Sequence, residues 1–209
     1  MNRRGFLAAA AALTIGAVIS HSSAKADAAG DPKSQVQAFY DVLVDNMKQG
    51  DALGFDGRYQ KLEPVIRQTF DIPVMAKIAI GAEWTGFPAD KKAGLLEVFD
   101  RYMISTYAAR FDTEKGLKFE VGEVKVPAEN RQLVETKLLR PNGDPVSLNY
   151  LFRPSTDGTW KIIDIYLSGT ISEMARMRSD FSATVTGGGA DGLMKALEDK
   201  IVDIKAHPN

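Results

Sequence analysis

The chain contains no cysteine. That excludes disulfide bonds, thiolate-ligated metals and cysteine nucleophiles. It also excludes lipid attachment at a signal-peptide junction, which needs a cysteine. Histidine is nearly as scarce: His21 falls in an N-terminal apolar segment and His207 beside the C-terminus, where chains fray. Histidine acid–base catalysis and histidine-ligated zinc therefore have almost nothing to run on. An excess of positive charge is missing too, with 26 Lys and Arg against 27 Asp and Glu. A nucleic-acid partner would call for a basic face, so none is expected. The glycines match neither a phosphate loop nor a dinucleotide fingerprint. No cofactor, no metal and no catalytic set is expected.

Long hydrophobic runs are also lacking. The longest, Phe6 to Ser20, is about 15 residues and rich in alanine, where a spanning helix needs roughly 20. It follows the basic head Met1 to Arg4 and precedes Ala24-Lys25-Ala26, which fits an A-x-A cleavage site. Residues 1–26 therefore read as a cleaved export signal. Arg3-Arg4-Gly5-Phe6-Leu7 has the spacing of a twin-arginine signal, although Asn2 and Ala8 depart from its usual residues. Cleavage removes three cations and no carboxylate, which shifts the net charge from −1 to about −4. Residues 27–209 remain as one domain acting outside the cytoplasm.

Those residues read as helices, then strands, then helices. Asp31-Pro32 is a helix start, with Asp at the cap and Pro at the first helical position. Val36, Phe39, Tyr40, Leu43 and Met47 recur at helical spacing, and Gly50 ends that segment. Leu62, Val65 and Ile66 mark a second helix, and Ile72 to Ile80 a third that stops at Gly81. The longest helix is expected from about Ala89 to Phe111, striped by Leu95, Leu96, Phe99, Tyr102, Met103 and Tyr107. From Leu117 the period becomes two. Leu117, Phe119 and Val121 share a face, and Val124 and Val126 restart one position out of phase, which predicts a β-bulge at Gly122.

A second strand runs from Arg131 to Arg140, and Asn142-Gly143 marks a tight turn into a third. There Val146, Leu148, Tyr150 and Phe152 share a face. After Asp157-Gly158 comes a fourth strand, Trp160 to Leu167, with Trp160 and Ile162 on one face and Ile163, Ile165 and Leu167 on the other. Both faces must be covered. Thr170-Ile171-Ser172-Glu173 reads as a capping box, which places Ile171, Met174 and Phe181 along one side of the following helix. Gly187-Gly188-Gly189 reads as an inter-helix loop before a last amphipathic helix. The fold class is α+β: a curved four-stranded antiparallel meander surrounded by helices, with room for two lobes.

Asp164 is the one carboxylate inside an apolar strand. Beside Tyr150 it is the candidate acid–base group of an isomerase-like cavity. The plainer alternative is a structural aspartate bonded to its neighbours. Glu120, Glu123 and Glu135 alternate with Lys118, Lys125 and Lys137 as a solvated strand face.

Several segments together resemble the MlaC, or toluene-tolerance auxiliary, family. They are Phe70-Asp71-Ile72-Pro73-Val74-Met75-Ala76, Gly81-Ala82-Glu83-Trp84, Phe99 through Tyr107-Ala108-Ala109-Arg110-Phe111, Trp160-Lys161-Ile162-Ile163-Asp164-Ile165, and Arg178-Ser179-Asp180-Phe181. Gly169-Thr170-Ile171-Ser172-Glu173 resembles the HpnM subgroup, associated with hopanoid biosynthesis. The resemblance implies a nuclear-transport-factor-like (NTF2-like) curved sheet and a periplasmic carrier shuttling phospholipid, or a hopanoid-related lipid, between outer and inner membranes. It implies as partners an inner-membrane ABC-type lipid transporter and an outer-membrane lipoprotein complex.

The cavity expected on this reading is lined from the sheet by Phe119, Val121, Leu148, Tyr150, Phe152, Ile163, Ile165 and Leu167. From the helices it takes Met103, Tyr107, Phe111, Ile171, Met174 and Phe181. Two sixteen-carbon tails at about 0.8 kcal/mol per CH₂ carry on the order of 25 kcal/mol of exposure, which calls for a deep dry site. The same residues describe a filled core equally well. The alternatives are an enzyme using Asp164 and Tyr150 on an apolar small molecule, and a structural adaptor that binds no lipid.

Overall fold

The computed structural model describes residues 30–208, so the signal read in residues 1–26 lies outside the described residues. Asp31 caps α1 (Pro32–Lys48), its carboxylate accepting from the Ser34 amide at 2.9 Å. The expected stripe is buried. Gly50 does not stop this helix; Gln49 does, and Gly50 opens α2 (Gly50–Thr69). A side chain at Gly50 would place its Cβ 1.5 Å from the Asp112 carbonyl oxygen, so glycine is needed there for close approach. α3 (Ile72–Ile80) is capped by Asp71 and ends at Gly81, where φ is +83°. A short 3₁₀ turn (Gly81–Gly86) leads to α4 (Ala89–Arg110).

The sheet is an antiparallel meander in the order β1-β2-β3-β4-β5, formed by β1 (Lys118–Ala128), β2 (Arg131–Leu139), β3 (Val146–Pro154), β4 (Trp160–Leu167) and β5 (Ile171–Ser172). It has five strands rather than the four expected, because β5 is too short to show a period in sequence. The register of β1 against β2 shifts between Val121 and Val124, as the break at Gly122 predicts. Val126, beyond that break, is 72% exposed. The Asn142-Gly143 turn is wider than expected, a loop over 140–145 held by Arg140 donating to the Asp144 carbonyl.

A second bulge corrects the reading of β4. Tyr150 pairs with Ile165, yet Phe152 pairs with Ile162, so one extra residue sits between them. Ile162 and Ile165 were expected on opposite faces; the bulge turns both toward the same buried core. Asp164 pairs with Leu151 and faces the other way.

The chain after β4 also departs from the capping-box expectation. Ser168 (φ +50°) and Gly169 (φ +79°) turn the chain back, so that Ile171 and Ser172 pair with Leu167 and Tyr166. Pairing keeps the backbone extended through Ser172, which becomes the cap of α5 (Glu173–Ala206) by accepting from the Ala175 amide at 2.9 Å. Thr170 is left in the turn, and Ile171 lies on β5 with 53% of its surface exposed. α5 is divided at Gly189 into two helical segments, 173–188 and 190–206, so among the described residues α4, at 22 residues, is the longest unbroken helix, as expected. The break at Gly187-Gly188-Gly189 is narrower than the expected loop: Gly187 and Gly188 stay helical, and Gly189 (φ +59°) alone leaves the helical conformation and separates the two segments.

One cluster of buried side chains joins α1 to α5 and the inner face of the sheet. Phe39 stands at its centre, edge-on to Phe70 at 5.4 Å and to Tyr107 at 5.5 Å between ring centroids.

Candidate functional site: an apolar cleft at one end of the sheet

Where α4 ends and α5 begins, the two helices leave a cleft over the inner face of β3 and β4. Met103, Tyr107 and Phe111 line it from α4, Leu148 and Tyr150 from β3, and Ile165 and Leu167 from β4. Cross-strand pairing explains why the sheet residues share a face: Leu148 pairs with Leu167, and Tyr150 with Ile165. The enclosed cavity is about 60 Å³. That is two water molecules' share of liquid, far below the roughly 300 Å³ at which small-ligand sites begin.

The other residues expected in the cavity go elsewhere. Phe152, Met174 and Phe181 are packed into the core. Phe119 stacks on Tyr40 at 4.4 Å and borders Phe111. Ile163 is buried at the bulge, and Val121 packs, partly buried, against the core where it borders the polar groove beside β1. Ile171 stays outside, on the edge strand.

The cleft also holds Thr106, Arg110, Glu173 and Met177, which were not singled out from sequence. Met177 stands one turn after Met174, so helical spacing alone points to it. The charged pair gives no such signal. Glu173 is buried and bound at both oxygens by Arg176, whose guanidinium also reaches Asp180 at 2.7 Å. The Glu173 carboxylate holds Arg176 above the ordinary arginine range.

Behind the cleft runs a line of hydroxyls. Tyr40 and Thr136 are 2.6 Å apart, Tyr40 and Tyr150 are 3.3 Å apart, and Thr136 donates to the Leu148 carbonyl. Burial pushes the Tyr40 phenol up to about 12, and raises Tyr107 and Tyr150 as well. These groups stay neutral and protonated at any physiological pH, so the back wall carries no charge.

Asp164 and Tyr150 do not come together. They sit on opposite faces of adjacent strands, and the Asp164 carboxylate is fully engaged. One oxygen accepts from the Ile165 and Met174 amides at 2.8 and 3.2 Å, and the other from the Ser172 hydroxyl at 2.6 Å. Asp164 thereby pins the start of α5 to β4. The end of α4 is pinned likewise. Arg58, buried, donates to the Ala108 and Gly50 carbonyls at 2.7 and 2.9 Å, and Asn46 donates to the Phe111 carbonyl at 3.1 Å.

The larger depressions differ in kind. One of about 560 Å³ follows the bend of β1 and is walled by Glu120, Glu123, Glu135 and Lys137, the solvated face expected from sequence. Among the described residues, no group of three or more His, Asp or Glu stands close enough to hold a metal ion.

A curved antiparallel sheet closed over by helices, with an apolar cleft at one end, defines an α+β class of domain. Within it, the chain belongs to the MlaC family, whose model matches residues 37–199. Among solved structures it is similar to a phospholipid-binding protein from Ralstonia solanacearum, determined in complex with a phospholipid. The two share 23% identity and a TM-score of 0.68, over 83% of this chain and 98% of that one. The curved-sheet fold expected from sequence is therefore observed. No curated protein matches the chain.

Proposed function

We propose that this protein is a non-catalytic lipid carrier of the periplasm, which takes up the acyl chains of a phospholipid between the inner sheet face and the facing ends of α4 and α5. The observation that carries the reading is the cleft: apolar side chains from both helices and both central strands converge there, in a member of the MlaC family. The similar Ralstonia protein, with its phospholipid, supports the same cargo. No acid–base pair is assembled at Asp164, which favours carriage over chemistry.

A cavity of about 60 Å³ is too small for an acyl chain, so loading moves α4 and α5 apart. Burying two tails returns on the order of 25 kcal/mol, enough to offset the contacts that opening costs. In this reading the carrier shuttles between outer-membrane and inner-membrane complexes and exchanges cargo with an ABC-type transporter. It arrives through the export signal of residues 1–26, with the twin-arginine spacing noted above. Hopanoid-related lipids fall within the proposed cargo because the subgroup-like segment Gly169 to Glu173 forms the β4–β5 turn and the start of α5, at the cleft's edge.

Mass spectrometry of lipid extracted from protein purified out of bacterial cells tests the reading. Co-purifying phospholipid is expected. Protein that is lipid-free and also refuses added phospholipid would overturn it. Leu148→Glu puts a charge in the cleft and should abolish loading with the circular dichroism unchanged.

A further inference from the structure

The edge of the cleft carries a polar requirement that apolar cargo alone does not meet. Arg110 ends α4 and lines the cleft, mostly exposed. The other charged or aliphatic-hydroxyl groups lining the cleft, Thr106 and Glu173, are committed. The Thr106 hydroxyl donates to the Tyr102 carbonyl at 2.8 Å, and Glu173 is held by Arg176. The Met174 and Ala175 amides at the start of α5 are taken by Asp164 and by the Ser172 hydroxyl. Among the described residues the Arg110 guanidinium enters no ion pair and no side-chain hydrogen bond. It presents five N–H donors in a planar fork that fits phosphate oxygens two at a time.

Apolar surface leads to the same place. Leu148 pairs with Leu167 and Leu167 with Ile171, so the three side chains form one cross-strand row on one face of the sheet. The row begins inside the cleft and ends at Ile171, exposed on the edge strand. A ligand that meets both features has acyl chains running along the row into the cleft and an anionic group outside, within reach of Arg110.

We propose that Arg110 is the headgroup site: its guanidinium binds the phosphodiester of the cargo, and it makes the cleft select phosphodiester lipids over neutral diacylglycerols with the same chains. The proposal rests on the lipid-carrier reading. Because Arg110 is exposed, the selectivity is moderate, about tenfold, as for a charge-assisted bidentate contact partly screened by water.

The purified protein is offered equimolar dioleoylphosphatidylglycerol and dioleoylglycerol in detergent micelles, and bound lipid is quantified by mass spectrometry. The wild type should hold the phosphodiester lipid in about tenfold excess. Arg110→Gln should lower the phosphatidylglycerol held and bring the ratio to within about twofold, and Arg110→Lys should keep part of it. Raising salt to about 1 M, where screening acts over about 3 Å, should erode the wild-type ratio and leave that of Arg110→Gln unmoved. An unchanged ratio in Arg110→Gln, or a wild type without preference, overturns the assignment and leaves the carrier reading standing. A wild type that loads neither lipid overturns both. Tail-less glycerophosphoglycerol should displace no bound lipid; displacement would make Arg110 a free-phosphate site and overturn the headgroup role.

Discussion

The inner face of the sheet has two halves built from the same kinds of residue and packed to different ends. Toward α1 and α2, Val134, Phe152 and Ile162 meet Phe39 and Phe70, and all five are at most 1% exposed. Toward α4 and α5, Leu148, Ile165 and Leu167 meet Tyr107 and Phe111 across a cleft. Hydrophobicity is equal across the divide; what differs is how the covering helices arrive. α1 lies over the first half along its length, whereas the second half is covered by the end of one helix and the start of another. Helix ends leave backbone groups to be satisfied, and here Asp164, Arg58 and Asn46 supply the partners. A cleft therefore forms where helices terminate, and it is held shut by polar contacts as well as apolar ones.

Four measurements test this contrast, in order of decreasing size. Phe152→Ala, in the filled half, should cost about 3–5 kcal/mol in denaturant unfolding, because its neighbours cannot collapse onto the void. A much smaller loss would mean that this half is loosely packed too.

The hydroxyl line between the halves should show in alkali. Tyr40 titrates at about 12 when folded and near 10 when unfolded, so the unfolded chain releases its proton first as pH rises. The stability that Tyr40 contributes is complete below pH ~10 and is lost progressively up to pH ~12, by about 3 kcal/mol. Tyr40→Phe should remove that share of the alkaline slope and leave the neutral-pH slope unaltered; an unchanged alkaline slope would place Tyr40 in contact with solvent.

Asp164→Ala leaves the Met174 amide and the Ser172 hydroxyl unpartnered, at a cost of about 1–3 kcal/mol. Hydrogen exchange should quicken at the start of α5 before it does elsewhere, and uniform quickening would show that Asp164 does not act locally. Leu148→Ala should cost only about 1 kcal/mol, since Leu148 is half-buried beside space already open. A loss as large as that of Phe152→Ala would erase the distinction between the halves.

Much of this layout is legible in the residues themselves. The first and third helices follow from an Asp-Pro start and from an Asp cap with a Gly stop, signals that act within one turn. The bulge at Gly122 follows from the period of two, and the start of β4 from the Asp157-Gly158 turn before it. The misreadings share a cause, which is that long-range contact outweighed local preference. Thr170 through Glu173 spells a cap, but pairing with β4 delays the helix to Ser172's side chain. Three glycines spell a loop, but burial of Val185, Ala190 and Leu193 on either side narrows the break to Gly189. Ile162 and Ile165 share a core only because of a bulge opposite Leu151 and Phe152, where no glycine or proline marks it. Arg110 and Glu173 were missed because a charged residue at a helix end is ordinary in sequence; which partners it lacks is visible only in three dimensions.

The kinked α5 also constrains the order in which the protein can become itself. Its second half, past Gly189, ties back to α4 through Lys91–Asp191 and Arg101–Glu198, partners about a hundred positions apart in the chain. A ribosome makes α4 long before it makes the segment that covers it. Leu95 and Phe99, fully buried at the end, therefore stay uncovered until that segment is made. The segment past Gly189 is the closing piece, and folding of this domain completes only once that segment has been made.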